Sequence, residues 1–347
     1  MYIKKIILAF AVIGLFVGGY YVYKVYNAFF IPNTSFNNTE AFVYIPSNTN
    51  FETVKTLLEP LLKDVSSFEA AAKRKGYTSN LKAGKFAIKR GMNNNELVNT
   101  LRSRNIPITL AFNNQETLED LAGRVASQIE ADSVSLVKAF NDEDFLKENG
   151  FDEQTKLAMY IPNSYEFFWN TTAAEFRDKM LKEYQRFWND TRVSKANSLG
   201  LTPIEVTTLA SVVHKETAKV DERPRVAGVY LNRLRDGMLL QADPTVIYAL
   251  KLETGDFNQI IKRVLYKDLV LDSPYNTYKY GGLPPGPIAM PDITAIDAVL
   301  SPEKHDYFYF VANVENFGYH KFAKTLAQHN RNKEQYVRWI NLQNIKR

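Results

Sequence analysis

One stretch limits this chain before any other: from Ile6 to Tyr23, 18 consecutive residues carry no charge, with Lys4 and Lys5 before them and Lys24 after. A helix crossing a bilayer core needs about 20 apolar residues, with a lower bound of about 17, so this run suffices. Its rival is a cleaved signal peptide, which shares the basic start and the apolar stretch. No small-x-small site follows, however, and the run ends in Tyr20, Tyr21 and Tyr23, residues suited to a membrane interface. We therefore expect an uncleaved anchor over residues 1–24, with the two lysines cytoplasmic and the remainder outside. Residues 25–39, which include NAFFIPNTSFNN, lack periodicity and read as a juxtamembrane linker reaching at most about 50 Å.

The rest of the 347 residues leaves room for two or three domains. With 45% hydrophobic residues it can bury a sizeable core. The charge balance, 43 basic against 38 acidic, is a mild excess with no dense basic run interleaved with aromatics, which argues against nucleic acid. Zero cysteines exclude disulfides, zinc ribbons and thiol catalysis. The histidines lack metal-ligand spacing, and no nucleophile elbow, phosphate loop or dinucleotide fingerprint occurs. No metal or cofactor is expected.

From Ala41 the pattern is compact. Residues 41–45 read as a strand, Phe51 to Leu62 as a helix, Val65 to Lys75 as a second helix, 84–89 as a return strand and Asn94 to Arg104 as a helix behind an Asn-rich cap. This β-α-α-β order, with LKAGKFAIKRGMNNNELVNTL, resembles the LysM-like module of wall-binding proteins over residues 40–106; a generic α+β support domain is the alternative. A similar strand-then-helix phrase at Ile108 to Glu130 opens a second domain, 107–347. Residues 133–150 read as acidic, solvated helix. Tyr160 to Tyr165, followed by Phe167, Phe168 and Trp169, reads as a turn flanked by aromatics that either stack on sugar faces or are buried. Thr171 to Trp188 reads as a long helix.

Thr202 to Leu240 carries the chemistry. Thr202 caps a helix with Pro203 at its first position and Glu205 closing a capping box. Val206, Leu209, Ala210 and Val213 form one apolar face. The next position on that face is Glu216, a carboxylate where periodicity calls for a core residue, and burial raises a carboxyl's pKa. Proteins make general acids for glycosidic bonds in this way. The competing reading pairs Glu216 with Arg223 or Arg225 at the edge of the stripe. A second helix follows Pro224, with Val226, Val229, Tyr230 and Leu234 on its apolar face and Asn232 and Arg233 beside it.

Beyond it, LQADPT places Asp243 at a turn, YNTY leads into the stiff loop GGLPPGPI, and YFYFV at 307–311 reads as a central strand. His320 and His329 follow, each more consistent with a structural role. In this order, ASVVHKET, VAGVYLNRLRDGMLLQADPTVIYAL, YNTY, GLPPGPI and YFYFVAN resemble the endolytic murein transglycosylase (MltG, or YceG-like) family over roughly residues 40–335. The resemblance implies an α+β chain: a membrane helix, the LysM-like subdomain, and a larger mixed α/β catalytic domain outside the cytoplasmic (inner) membrane. Within that domain, helices are expected to dominate 171–236 and strands of an antiparallel sheet to cluster after 240.

The activity implied is cleavage of the MurNAc–GlcNAc bond in nascent peptidoglycan strands, leaving a 1,6-anhydro-MurNAc end and terminating elongation. The family's catalytic Glu falls on Glu216, and Gln241, Asp243, Asn276 and Tyr278 would line the groove and bind sugar hydroxyls and acetamides. Glycan strands and the membrane are the implied partners, with peptidoglycan synthases as candidates. Two departures are visible: His214 stands where relatives commonly have an acidic residue, and Pro162-Asn163-Ser164-Tyr165 where many have Pro-Asp-Thr-Tyr. Two alternatives stay open, a muramidase-type hydrolase using Asp243 as a second carboxylate and a non-catalytic peptidoglycan-binding protein.

Overall fold

The structure, a computed structural model, describes residues 2–342. The chain divides into two compact units. The first holds the chain up to Leu110 together with Gln128–Ala131 and Tyr165–Thr172; the second holds Ala111–Ser127, Asp132–Ser164 and everything from Ala173. Two later segments thus return to the first unit, so the division is not a single cut near residue 107.

The first unit starts with α1 (Tyr2–Phe30), 29 residues that are long and apolar enough to cross a membrane. Then come β1 (Glu40–Ile45), α2 (Phe51–Leu58), α3 (Val65–Arg74), β2 (Gly84–Lys89) and α4 (Asn94–Ser103). Strands β1 and β2 pair antiparallel, Val43 opposite Phe86 and Ala41 opposite Ile88. Side chains alternate across a strand, so Val43, Ile45, Phe86 and Ile88 face the core with Val54, Phe68, Leu97 and Leu101. Each helix start has its own signal. Asn50 and Asp64 cap α2 and α3, and Asn93 with Glu96 forms a capping box on α4.

The linker expected at 25–39 is corrected here. Helix α1 runs on to Phe30, and the Nδ2 of Asn94 donates to the Ala28 carbonyl at 2.7 Å. Pro32 and Thr34 form β-bridges to Asn93 and Leu62, while buried Asn33 donates from Nδ2 to the Asp64 carbonyl and to Asn94 Oδ1, both at 2.8 Å. Side-chain amides distant in sequence satisfy this backbone, which is why local periodicity gave no sign of order.

Strands β3 (Pro107–Phe112) and β4 (Asn163–Phe168) form a two-stranded sheet, with α5 (Leu118–Ala126), α6 (Ser133–Phe140) and α7 (Glu143–Glu148) between them in sequence. The stretch 133–150 is less solvated than its acidity suggests, since Leu136, Phe140 and Leu146 are buried. Tyr160, read as part of an aromatic turn, is 1% exposed and packs 4.9 Å from the Phe140 ring.

The remaining helices are α8 (Ala173–Phe187), α9 (Asp190–Ser198), α10 (Pro203–Glu216), α11 (Arg223–Arg235), α12 (Asp243–Thr254), α13 (Ile293–Leu300) and α14 (Leu326–Leu342), with hairpin β5 (Tyr309–Ala312) and β6 (His320–Ala323) before the last. Helix α10 is the hub, packed against α9, α11, α12 and α13. Every residue from Val206 to Val213 is buried, so the expected single apolar stripe is instead a helix surrounded on all sides. Its polar residues are compatible with burial because Thr207, Thr208 and Ser211 donate back to Pro203, Ile204 and Thr208 carbonyls. Ser211 Oγ also accepts from Ile288 N at 3.0 Å, docking the GLPPGPI loop on α10.

The expected cluster of strands after 240 is also corrected. Among the described residues that region holds only the β5–β6 hairpin, antiparallel with Phe310 opposite Phe322. The GGLPPGPI stretch forms an irregular loop instead of a strand, and 307–311 is half-buried rather than central.

Helix α11 lies close to the loop after α13 because it presents Gly228 there: a Cβ at 228 would meet the Glu303 carbonyl oxygen at 2.6 Å. Gly228→Ala is expected to lower stability by about 1–3 kcal/mol through overpacking. Gly123→Ala, at an open helical position, should instead raise it by about 0.5–1 kcal/mol. Thermal and denaturant unfolding of the two variants would check both signs.

Candidate active site

Glu216 is the last residue of α10, half-buried, with an opening to solvent. Tyr230, on α11 and 1% exposed, donates from its hydroxyl to Glu216 Oε2 at 3.1 Å. Burial of the carboxyl raises its pKa to about 7; the Asp243 carboxylate adds to the rise, while His320, the Tyr230 hydrogen bond and Arg233 oppose it. A negative charge at a helix C-terminus also meets the unfavourable end of the helix dipole. The ion-pair alternative is not what forms. Arg223 binds Asp292 at 2.7 Å and Arg225 binds Glu303 at 2.9 Å, leaving Glu216 in a site where its neutral form is favoured.

The turn between α10 and α11 is held by Glu222, 4% exposed, which accepts from His320 N at 2.7 Å, from the His320 ring at 2.8 Å and from Thr217 Oγ1 at 3.0 Å. Burial pushes the Glu222 carboxyl up, but these hydrogen bonds outweigh it and hold it below its ordinary value. Two acids six residues apart are thereby driven in opposite directions. His320 stacks edge-on to Phe310, which itself meets the Tyr230 ring at 5.8 Å.

Arg233, 7% exposed, lies on the same helix as Tyr230. It donates to the carbonyls of Phe308 and Leu240, both at 2.6 Å, and of Leu239 at 3.3 Å. Burial lowers its pKa, yet a guanidinium stays charged. Its fork thus fixes the segment that carries the next two expected residues. Gln241 is exposed, with a left-handed φ of 51° sustained by its N–H bond to the Thr277 carbonyl. Asp243, exposed at the start of α12, accepts from the Tyr278 hydroxyl at 2.6 Å. Burial, then the bond to Asp243, pushes the Tyr278 phenol well up. Buried Thr245 and Thr277 stitch α12 to the YNTY loop, 2.8 Å between their hydroxyls.

Of the five residues expected at the site, the electrostatics link Glu216, Asp243 and Tyr278, and Gln241 stands on the same fixed segment. Asn276 is the exception. It is 0% exposed, donates to the Leu269 and Leu271 carbonyls at 2.9 and 2.8 Å, and accepts from Tyr278 N at 3.0 Å. It shapes the loop and has no amide left for a sugar, which corrects the expectation that it binds substrate. His214 accepts from Asp292 N at 3.2 Å, and burial pushes its imidazole down. Tyr230, Arg233, Glu222 and His320 were not among the expected site residues. Tyr230 looked like one residue of an apolar helix face and Arg233 like a residue beside it, and only the hydroxyl of Tyr230 on that stripe offered a signal. Among the described residues, no group of three or more His, Asp or Glu is arranged to hold a metal.

The arrangement brings together a half-buried carboxyl of raised pKa, a phenol that donates to it and the charge of a second carboxylate. A family model described as the YceG-like family matches residues 43–335. An endolytic murein transglycosylase of Bacillus subtilis is 30% identical, with 93% of this chain and 91% of that protein covered. One of Streptococcus pneumoniae is 30% identical over 97% of this chain and 66% of its own length. A crystal structure of a yceG-like protein from Listeria monocytogenes, 30% identical, superposes with a TM-score of 0.57 over 85% of this chain and 99% of that one. The chain belongs to the YceG-like family.

A raised carboxyl has a consequence for stability. The folded state holds the Glu216 proton more tightly than the unfolded chain, so its contribution is fully present below about 4.5 and is lost as pH rises through about 7. Glu216→Gln, which cannot ionise, should therefore gain stability relative to the wild type as pH rises from about 4.5 past 7. Thermal unfolding of both proteins across that window checks the sign.

Proposed function

We propose that this chain is a membrane-anchored endolytic lytic transglycosylase of peptidoglycan, cleaving the MurNAc–GlcNAc bond of nascent strands. The observation that carries the reading is Glu216, held near a pKa of about 7 with an open side. Such a group is substantially protonated at neutral pH and can both give and take a proton. In the first half, Glu216 donates to the glycosidic oxygen as its bond to C1 of MurNAc breaks. In the second, the resulting carboxylate removes the proton of that sugar's 6-hydroxyl as the oxygen closes on C1. The proton returns to Glu216, water is not consumed, and a 1,6-anhydro end remains. Tyr230 stays bonded to the carboxyl through both halves, while Gln241, Asp243 and Tyr278 line the groove.

The names of the relatives support this reading, as does the helix α1 for attachment to the cytoplasmic membrane. Lys4 and Lys5 favour a cytoplasmic amino terminus, with the catalytic unit on the outer, periplasmic side. The β1-α2-α3-β2 order is consistent with a LysM-like glycan contact, and enzymes that synthesise the strands are the partners such an activity would meet. A second reading rests on Asp243, an exposed carboxylate whose charge acts on Glu216. With water activated by Asp243 the same site would hydrolyse the bond, as a muramidase does.

Full-length protein in detergent, incubated with peptidoglycan, should release anhydro-ended muropeptides seen by mass analysis, and Glu216→Gln should lower their rate about 10²–10⁴-fold. Reducing ends lost in Asp243→Asn would transfer the assignment to hydrolysis. Glycan bound but uncleaved by folded wild type would leave a binding protein.

A further inference from the structure

A cleft of about 490 Å³ lies in the second unit and is not part of the acid–base site. One wall is apolar, with Ile247, Phe257 and Ile260 among its residues, and the polar part is Glu116, Lys215 and Lys251. Both ammonium groups bind the one Glu116 carboxylate, Lys215 to Oε1 and Lys251 to Oε2, each at 2.6 Å. Lys251 is deeply set, its side chain 11% exposed. Two cations therefore share the Glu116 carboxylate at the polar end of a partly apolar cleft. Each ammonium carries three donors and gives one to Glu116, so a further carboxylate would meet donors on both lysines.

The cleft adjoins the chemistry in sequence on two elements. Lys215 precedes Glu216 on α10, and Pro244 follows Asp243 at the start of α12. Consecutive helical residues project about 100° apart, so Lys215 and Glu216 serve different faces of the same helix end. A sugar at Glu216 would bring with it the peptide stem joined to the lactyl group of muramic acid. Two or three extended residues of such a stem span about 7–11 Å. Stems of this polymer combine alanine methyl groups with free carboxylates, the two chemistries that the apolar wall and the lysine pair accept.

Resting on the transglycosylase reading, we propose that this cleft is a subsite for the peptide stem of the glycan, with a stem carboxylate bound between Lys215 and Lys251 and alanine methyls on the wall of Ile247, Phe257 and Ile260. The enzyme then selects strands that still carry stems. Lys215→Met leaves Glu116 bonded to Lys251, and Ile260 is 82% exposed, so Ile260→Ser tests the other wall without disturbing a core.

The test uses full-length Glu216→Gln protein in detergent micelles and fluorescently labelled glycan strands, either with stems or freed of them by an amidase. Anisotropy should show stem-bearing strands bound about tenfold tighter. Adding Lys215→Met or Ile260→Ser should bring that ratio close to one, and Lys215→Arg should keep it. Equal affinity for both strand types, no binding of either, or a ratio unmoved by both substitutions would overturn the subsite. Cleavage of the same strands by the Glu216 protein separates the two ideas. Cleavage without a stem preference in binding removes only the subsite, and a binding preference without cleavage removes only the activity.

Discussion

Desolvation of a single carboxyl at the end of α10 is the condition on which the rest of the second unit depends. A Glu at a helix C-terminus would ordinarily turn to water. Here α10 is enclosed by its neighbouring helices, and Tyr230 reaches back from α11 to hold the group. The turn joining the two helices is tied by Glu222 to His320, so the hairpin β5–β6 helps set the position of Glu216 from a distance of 104 residues in sequence. Lowering the Glu222 carboxyl and raising that of Glu216 in one neighbourhood is a matter of donors: Glu222 receives three hydrogen bonds, Glu216 one from Tyr230.

The same logic explains why the loops near Glu216 do not behave as loops. Arg233 fixes residues 239–240, Thr245 and Thr277 join α12 to the YNTY segment, and Asn276 uses its whole amide on backbone. Gly286 lets the Pro-rich loop press against the backbone at Gln154, where a Cβ would sit 1.9 Å from a carbonyl oxygen. A site that must hold a sugar at hydrogen-bonding distance benefits from such rigid support. The lysine pair on Glu116 belongs to this pattern too, since it ties residue 116 to both α10 and α12.

Much of this was legible in the sequence where the signal is local. The Thr202–Glu205 capping box, Pro203 and Pro224 at helix starts, and the β-α-α-β order of 41–104 all appear where short-range chemistry puts them. Glu216 stood out because a carboxylate interrupted an apolar period. What stayed hidden was non-local. The order of residues 25–34 depends on Asn94 and Asp64, and the burial of Thr207, Thr208 and Ser211 depends on four surrounding helices, so neither shows in a period. Asn276 looked like a sugar ligand because an Asn in a stiff loop has the same composition whether its amide faces solvent or backbone. Tyr230 and His320 acquire their roles only when α11 and the hairpin are brought to the end of α10.

The central claim is that the fold itself raises the Glu216 carboxyl so that a substantial share of it is protonated at neutral pH. Carboxyl carbon-13 NMR of full-length, glutamate-labelled protein in detergent, with the Glu216→Gln spectrum to assign the signal, measures it directly. A titration midpoint near 7 is the result expected. A midpoint in the ordinary range, about 4.3, would show that the carboxyl is solvated and ionised, and an acid–base role for it at neutral pH would then be contradicted.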